Sequence, residues 1–223
     1  MRDAYHDDLD ALTQSLIDMT HIVGSAVGRA TQALLDADLA LAEQVISGDK
    51  AVDALYHSVE EQAFELLARQ QPVAVDLRRV VASLRMMSDL ERSGDLAVHV
   101  AELARRRYPA SAIPAELQST ILEMGQMAQR ITAKAGSVIA SQDLQLCSEI
   151  ERDDDVMDGL HRQLFRALLE DEWKGSIEEA VDITLCSRFF ERLADHAVSV
   201  ARRIFYLVTG EREPQPQPHL EQV

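Results

Sequence analysis

The chain repeats itself, and the repeat limits what it can fold into. Asp38-Leu39-Ala40-Leu41-Ala42 aligns with Asp143-Leu144-Gln145-Leu146-Cys147 at a shift of 105 positions (143 − 38). The same shift pairs Met19 with Met124, Asp49 with Asp154, Asp53 with Asp158 and Leu55 with Leu160. Further on the shift becomes 100 (190 − 90), pairing Leu90 with Phe190, Ala97 with Ala197 and Val100 with Val200. The change falls in a connection, where length is free to vary. Each half therefore folds alike, and what holds for one half is expected of the other.

Each half reads as three helices. Gly and Pro are scarce (9 and 6 in 223 residues), so long segments run without turn residues. The pattern predicts helices over about Asp8–Leu35, from Asp38 to just before Gln71-Pro72, and over Asp76–Arg107. In the second half it predicts Ala115–Ser141, Asp143–Asp171 and Ser176–Thr209, with Gly210 as the C-terminal stop. Tyr108-Pro109-Ala110-Ser111-Ala112-Ile113-Pro114 is the strongest internal boundary. The fold class is thus all-α: two tandem, internally similar three-helix antiparallel bundles, over residues 1–107 and 115–211, with a disordered Pro/Gln-rich tail over 212–223. Joined head to tail, two such bundles would make an elongated molecule with pseudo-twofold character. On the third helix Val80, Leu84, Met87, Val98 and Ala101 form the stripe expected to face the core.

The acidic residues carry the functional signal. Glu91-x-x-x-Asp95 recurs as Glu191-x-x-x-Asp195, and the second helices carry Asp49 with Asp53 and Asp154 with Asp158. Four-residue spacing puts both carboxylates of each pair on one helix face, where they repel unless a cation lies between them. Antiparallel packing would bring two pairs together in each half. Four carboxylates suit hard or borderline cations: Mg²⁺, Mn²⁺, Fe or Zn²⁺. His99, one turn after Asp95, is a possible further ligand; His196 points about a quarter-turn away, and His57 follows Asp53 by one turn. One copy alone also reads as a solvated helix face, and Arg92 and Arg192 could simply pair with the acids. Most of the run Glu149–Asp155 reads as such a face, with only Asp154 supported by the repeat.

Other function classes find little support. A net charge of −16 opposes nucleic-acid binding and adsorption to anionic lipid. The N-terminus is polar and acidic, unlike a signal peptide, and no apolar run spans a bilayer. Cys147 and Cys186 lie among apolar neighbours without metal-finger spacing, which suggests buried thiols in a reducing cytoplasm. No Gly-rich phosphate loop, nucleophile elbow or HExxH is present. Metal-dependent phosphoester hydrolysis by the acidic clusters stays open, as does a purely structural module whose acidic faces dock basic partners.

Glu91-Arg92-Ser93-Gly94-Asp95 and Glu191-Arg192-Leu193-Ala194-Asp195-His196-Ala197 resemble the twin acidic motifs of PhoU proteins. Arg69-Gln70-Gln71-Pro72-Val73-Ala74-Val75-Asp76-Leu77-Arg78 is similar to that family's segment between second and third helices, and Tyr206–Glu211 to its closing stretch. The resemblance extends from about Tyr5 to Glu211. It implies metal ions on the twin motifs, a cytoplasmic homodimer and a regulator without catalysis. It further implies repression of the phosphate-starvation response, by coupling a phosphate ABC transporter, through its ATPase subunit, to the PAS domain of a sensor histidine kinase. Membrane association would be peripheral, through those partners. His99 and Ser199 stand where the family often carries Asn, Ser93 where an aliphatic residue is usual, and Ala194 where Gly is usual.

Overall fold

The structure, a computed structural model of the chain, describes residues 2–169 and 173–211, with side chains from Tyr5 onward. The described residues form seven helices: α1 (Arg2–Asp36), α2 (Leu39–Gly48), α3 (Lys50–Gln70), α4 (Ala74–Arg107), α5 (Gln118–Ser141), α6 (Leu144–Leu169) and α7 (Ile177–Thr209). There is no strand among the described residues, so the all-α expectation holds. The six expected helical segments are present, the second one divided. Residues 170–172 and the tail from 212 lie outside the described residues, and with them the expected end of the fifth segment and the expected disorder.

Local chemistry sets the ends. Asp38 caps α2, its side chain accepting from Leu41 N–H at 3.0 Å. Gln71 takes a left-handed conformation (φ 47°) and Pro72 follows, which stops α3. A capping box opens α7: Ser176 accepts from Glu179 N–H at 3.1 Å, while Glu179 accepts from Ser176 N–H at 2.6 Å. Gly210 ends it at φ 76°, as its position in the sequence suggests.

The division of the second segment falls at Gly48–Asp49. Asp49 keeps α-helical angles (φ −61°, ψ −27°), but its carbonyl accepts from both Val52 N–H (2.8 Å) and Asp53 N–H (3.1 Å). Gly weakens a helix interior and is a common site of kinking. The equivalent stretch of α6 carries Asp153-Asp154 and runs unbroken.

The halves do not meet end to end. They pack side by side, α1 against α5 and α4 against α7, and one apolar core runs through both. The reason is visible on α1. Leu9, Leu12, Leu16, Met19, Val23, Val27, Ala30 and Leu34 are all at most 1% exposed. Each larger side chain among these contributes about 1.5–3 kcal/mol when removed from water. Small residues let α1 and α5 approach closely: Gly24 and Gly28 lie against Thr132 and Gln129, and Gly125 and Gly136 against Thr31 and Thr20. The boundary segment is drawn in too, with Ala112 and Ile113 buried. On α4, Val80, Met87 and Ala101 are buried as expected, whereas Leu84 and Val98 are half-buried. Glu91 lies between those two in the same heptad column and is half-buried with them, so the column borders the core.

Candidate functional site

In the first half α2–α3 and α4 bring together all four predicted carboxylates. Asp49 sits over Gly94 of α4, whose missing side chain makes the room: a Cβ there would lie 3.0 Å from Asp49 Oδ1. Burial, followed by the charges of Asp53, Asp95 and Glu91, raises the Asp49 pKa to about 6. Burial and the Asp95 charge likewise raise Glu91. Arg92 partly offsets this repulsion, reaching Asp95 at 3.0 Å and Glu91 at 3.6 Å.

The second half repeats the arrangement more deeply. Burial, then the charges of Asp195, Asp158, Glu191 and Asp155, raises Asp154 to about 7. Glu191 and Asp195 are also raised, in each case first by desolvation. Asp154 Oδ1 and Glu191 Oε2 are buried without a hydrogen-bond partner. Such groups are costly unless protonated or met by a cation. Here the nearby cation is Arg188, which is bonded to Glu191. Asp158 pairs with Arg162 at 3.7 Å.

The donor chemistry therefore fits a hard or borderline cation in both halves. The placement does not yet close a cage: among the described residues, no three His, Cys, Asp or Glu side chains stand ready to hold an ion. The arginines draw Glu91, Asp95 and Glu191 aside, so occupation requires side-chain rotation within each cluster.

The histidines have contacts of their own, with His99 still within electrostatic reach of Asp49 and His196 within reach of Glu91 and Asp195. His99 stacks on Phe189 of α7, ring centroids 5.2 Å apart. His196 Nδ1 lies 3.2 Å from the Asp89 carboxylate, which also accepts from Arg203 Nε at 3.0 Å. His57 is exposed and lies 4.0 Å from Glu60. The Glu149–Asp155 run corrects its reading as mostly a solvated face. Glu149 and Asp153 hold Lys134 of α5 at 3.1 and 2.8 Å, and Glu151 holds Arg202 of α7 at 3.2 Å. Spacing along one helix could not reveal these partners, since each belongs to another helix.

Two cross-half networks escaped the sequence reading. Asp182, 2% exposed, is bonded to Arg106 and Arg107, and Arg107 also reaches Glu178 at 2.8 Å. Asp89 is the other, holding His196 and Arg203. The repeat offered no signal, because Asp182 and Asp89 align with Ala82 and Phe189. Cys147 and Cys186 are both buried, and burial pushes the Cys186 thiol far up. No helix among the described residues is long and apolar enough to cross a membrane.

The comparisons with known proteins agree with the duplicated fold. The chain is 50% identical over 210 residues to a Mycobacterium tuberculosis protein named phosphate-specific transport system accessory protein PhoU homolog 2, covering 94% of this chain and 99% of that one. It is 32% identical to a Rhizobium meliloti protein named phosphate-specific transport system accessory protein PhoU homolog, covering 96% and 90%. The crystal structure of PhoU from Pseudomonas aeruginosa superposes with a TM-score of 0.82 at 29% identity, covering 93% of this chain and all of that one. A Streptococcus pneumoniae PhoU structure, at 24% identity and TM-score 0.83, shares the fold. The family described as PhoU domain matches twice, over residues 16–104 and 121–204, once in each half, and the chain is a member of that family.

Proposed function

We propose that this protein is a non-enzymatic, cytoplasmic accessory regulator of phosphate transport. It represses the phosphate-starvation response when phosphate is plentiful. It does so as a homodimer that couples the ATPase subunit of a phosphate ABC transporter to the PAS domain of a sensor histidine kinase. Its twin acidic sites carry divalent or iron ions, held by Asp49, Asp53, Glu91 and Asp95 in one half and by Asp154, Asp158, Glu191 and Asp195 in the other. The relatives named as phosphate-transport accessory proteins, matched along nearly their whole length, support the transport role.

One observation carries the metal reading: each half draws a half-buried aspartate in among further carboxylates, and the second leaves two carboxylate oxygens without a partner. Asp49, Asp53, Glu91 and Asp95 would hold a cation between α2–α3 and α4, and Asp154, Asp158, Glu191 and Asp195 one between α6 and α7, where it would neutralise their charge. The chain's own residues then present the partner-facing surface in one fixed arrangement. Each half supplies hard oxygen donors, with His99 too far committed to Phe189 to serve unless its ring moves.

A second reading is favoured by Arg92 and Arg188, which already meet the acids. The clusters would then be charged docking surfaces without metal. Binding to the cytoplasmic part of a phosphate-sensing histidine kinase separates the two. Wild type and the Glu91/Asp95/Glu191/Asp195→Ala variant are compared with and without chelator. Binding lost on chelation and in the variant supports the metal-bearing adaptor. Binding that responds to salt but not to chelator supports the docking surface. No binding at all counts against the kinase coupling.

A further inference from the structure

The repeat breaks down beside the first acidic site. In the second half Lys134 of α5 is neutralised by Glu149 and Asp153 of α6. At the shift of 105 their counterparts are Arg29, Gln44 and Gly48. The cation is kept and both carboxylates are gone. Arg29 Nη2 donates to Gln44 Oε1 at 2.7 Å, a neutral acceptor, and among the described residues it makes no ion pair. Arg29 is half-buried and meets a neutral partner where its counterpart in the second half meets two carboxylates.

Space takes the place of the lost acid. A Cβ at Gly48 would meet nothing within 4 Å. Gly48 lines a cavity of ≈ 280 Å³ between α1 and the α2–α3 segment. His21, Ser25 and Arg29, one turn apart along α1, line one side, Gln44 and Asp49 the other, with Val45 between them. We infer that this cavity binds a small anion through its carboxylate or phosphate group, which occupies at Arg29 the position that the second repeat fills with its own Asp153. The guanidinium fork matches two oxygens of such a group. The Ser25 hydroxyl and the Gln44 amide add donors.

Asp49 shares the wall and, when ionised, repels an anion. A cation at the first acidic site would reverse that repulsion, so anion affinity rises with metal. This last step rests on the metal reading of the acidic sites; the anion site itself does not.

Calorimetric titration of the whole chain with inorganic phosphate and with acetate tests the inference, in metal-free and Mg²⁺-loaded protein. The variants are Arg29→Gln and Gly48→Asp, with circular dichroism to check that both stay helical. Wild type is expected to take up at least one of the two anions. Arg29→Gln should weaken uptake about ten- to a hundredfold, the loss of one charged hydrogen-bonding group. Gly48→Asp should abolish it by supplying the carboxylate from within, and open space at Gly48 makes that variant easy to accommodate. The two probes tell whether phosphate or carboxylate is preferred. No heat from either anion at millimolar concentration overturns the inference. So does uptake unchanged in both folded variants, or uptake by loaded protein that survives Arg29→Gln. Anion uptake that is intact but indifferent to Mg²⁺ sinks only the coupling of anion to metal.

Discussion

Thr20 of α1 fills the space left by Gly136 on α5, and Thr31 fills the space left by Gly125. The repeat turns one pair into the other, since Thr20 aligns with Gly125 and Thr31 with Gly136. Each hydroxyl is satisfied within its own helix, Thr20 by the Ile17 carbonyl at 2.7 Å and Thr31 by the Val27 carbonyl at 2.8 Å. The two contacts are one contact seen twice about a pseudo-twofold axis. Packing, not polar bonding across the seam, is therefore what holds α1 to α5 there.

Gly136→Ala should accordingly destabilise the protein by about 1–3 kcal/mol, the range for overfilling a packed interior. Urea denaturation measures it. Adding Thr20→Ala should return part of the loss, because the Thr20 hydroxyl is the nearest obstacle to the new methyl group. A midpoint unmoved by Gly136→Ala would show that the seam has slack.

Asp182→Ala removes a carboxylate, 2% exposed, from between Arg106 and Arg107. Both arginines keep contact with water, so the cost should lie near the lower end for a broken buried pair, about 3 kcal/mol. Amide hydrogen exchange should quicken at the C-terminal end of α4 and the N-terminal end of α7. Exchange unchanged at those two ends would assign their docking to apolar packing alone.

Asp49 and Asp154 make the metal-free protein sensitive to pH. Their folded pKa values, about 6 and about 7, lie above those of an exposed aspartate. The folded state binds these protons more tightly than the unfolded state. Their contribution to stability is thus complete below about pH 4 and is lost as pH rises through 6 and 7. Allowing for their partial exposure, each contributes on the order of 1 kcal/mol. Thermal melts of metal-free wild type and of Asp49→Asn/Asp154→Asn should converge at low pH, with wild type falling away faster toward pH 8. Parallel curves would mean that other groups relieve the repulsion.

Divalent metal should reverse that loss. A cation at a hundred times its dissociation constant adds about 2.7 kcal/mol to the folded state. For a chain of this size that raises the melting temperature by roughly 5–10 °C. The Glu91/Asp95/Glu191/Asp195→Ala variant should not respond. An equal rise in the variant would place the ion elsewhere.

The long elements and both acidic clusters were legible in the sequence because they depend on spacing within one helix and on the repeat. Glu91 with Asp95 and Glu191 with Asp195 keep their helix faces wherever the helices pack. What packs against what was not legible. The half-buried, paired state of Asp153, the stacking of His99 on Phe189 and the burial of Asp182 all depend on neighbours more than 15 residues away in the chain. The side-by-side packing of the halves has the same origin: Gly24, Gly28, Gly125 and Gly136 mark close approach only once the opposite helix is known. The division at Gly48–Asp49 had a signal in Gly48, but a single Gly in a helical pattern is often tolerated.

Ala112 and Ile113, buried in the segment between the halves, bear on what would happen if the chain were cut. Each piece would expose the long apolar side that α1 or α5 now buries, a surface suited to association rather than to life alone. Nicked protein should remain a non-covalent pair, and separately expressed pieces should complement one another. The seam between the halves is, in that sense, a twofold dimer interface enclosed within a single chain.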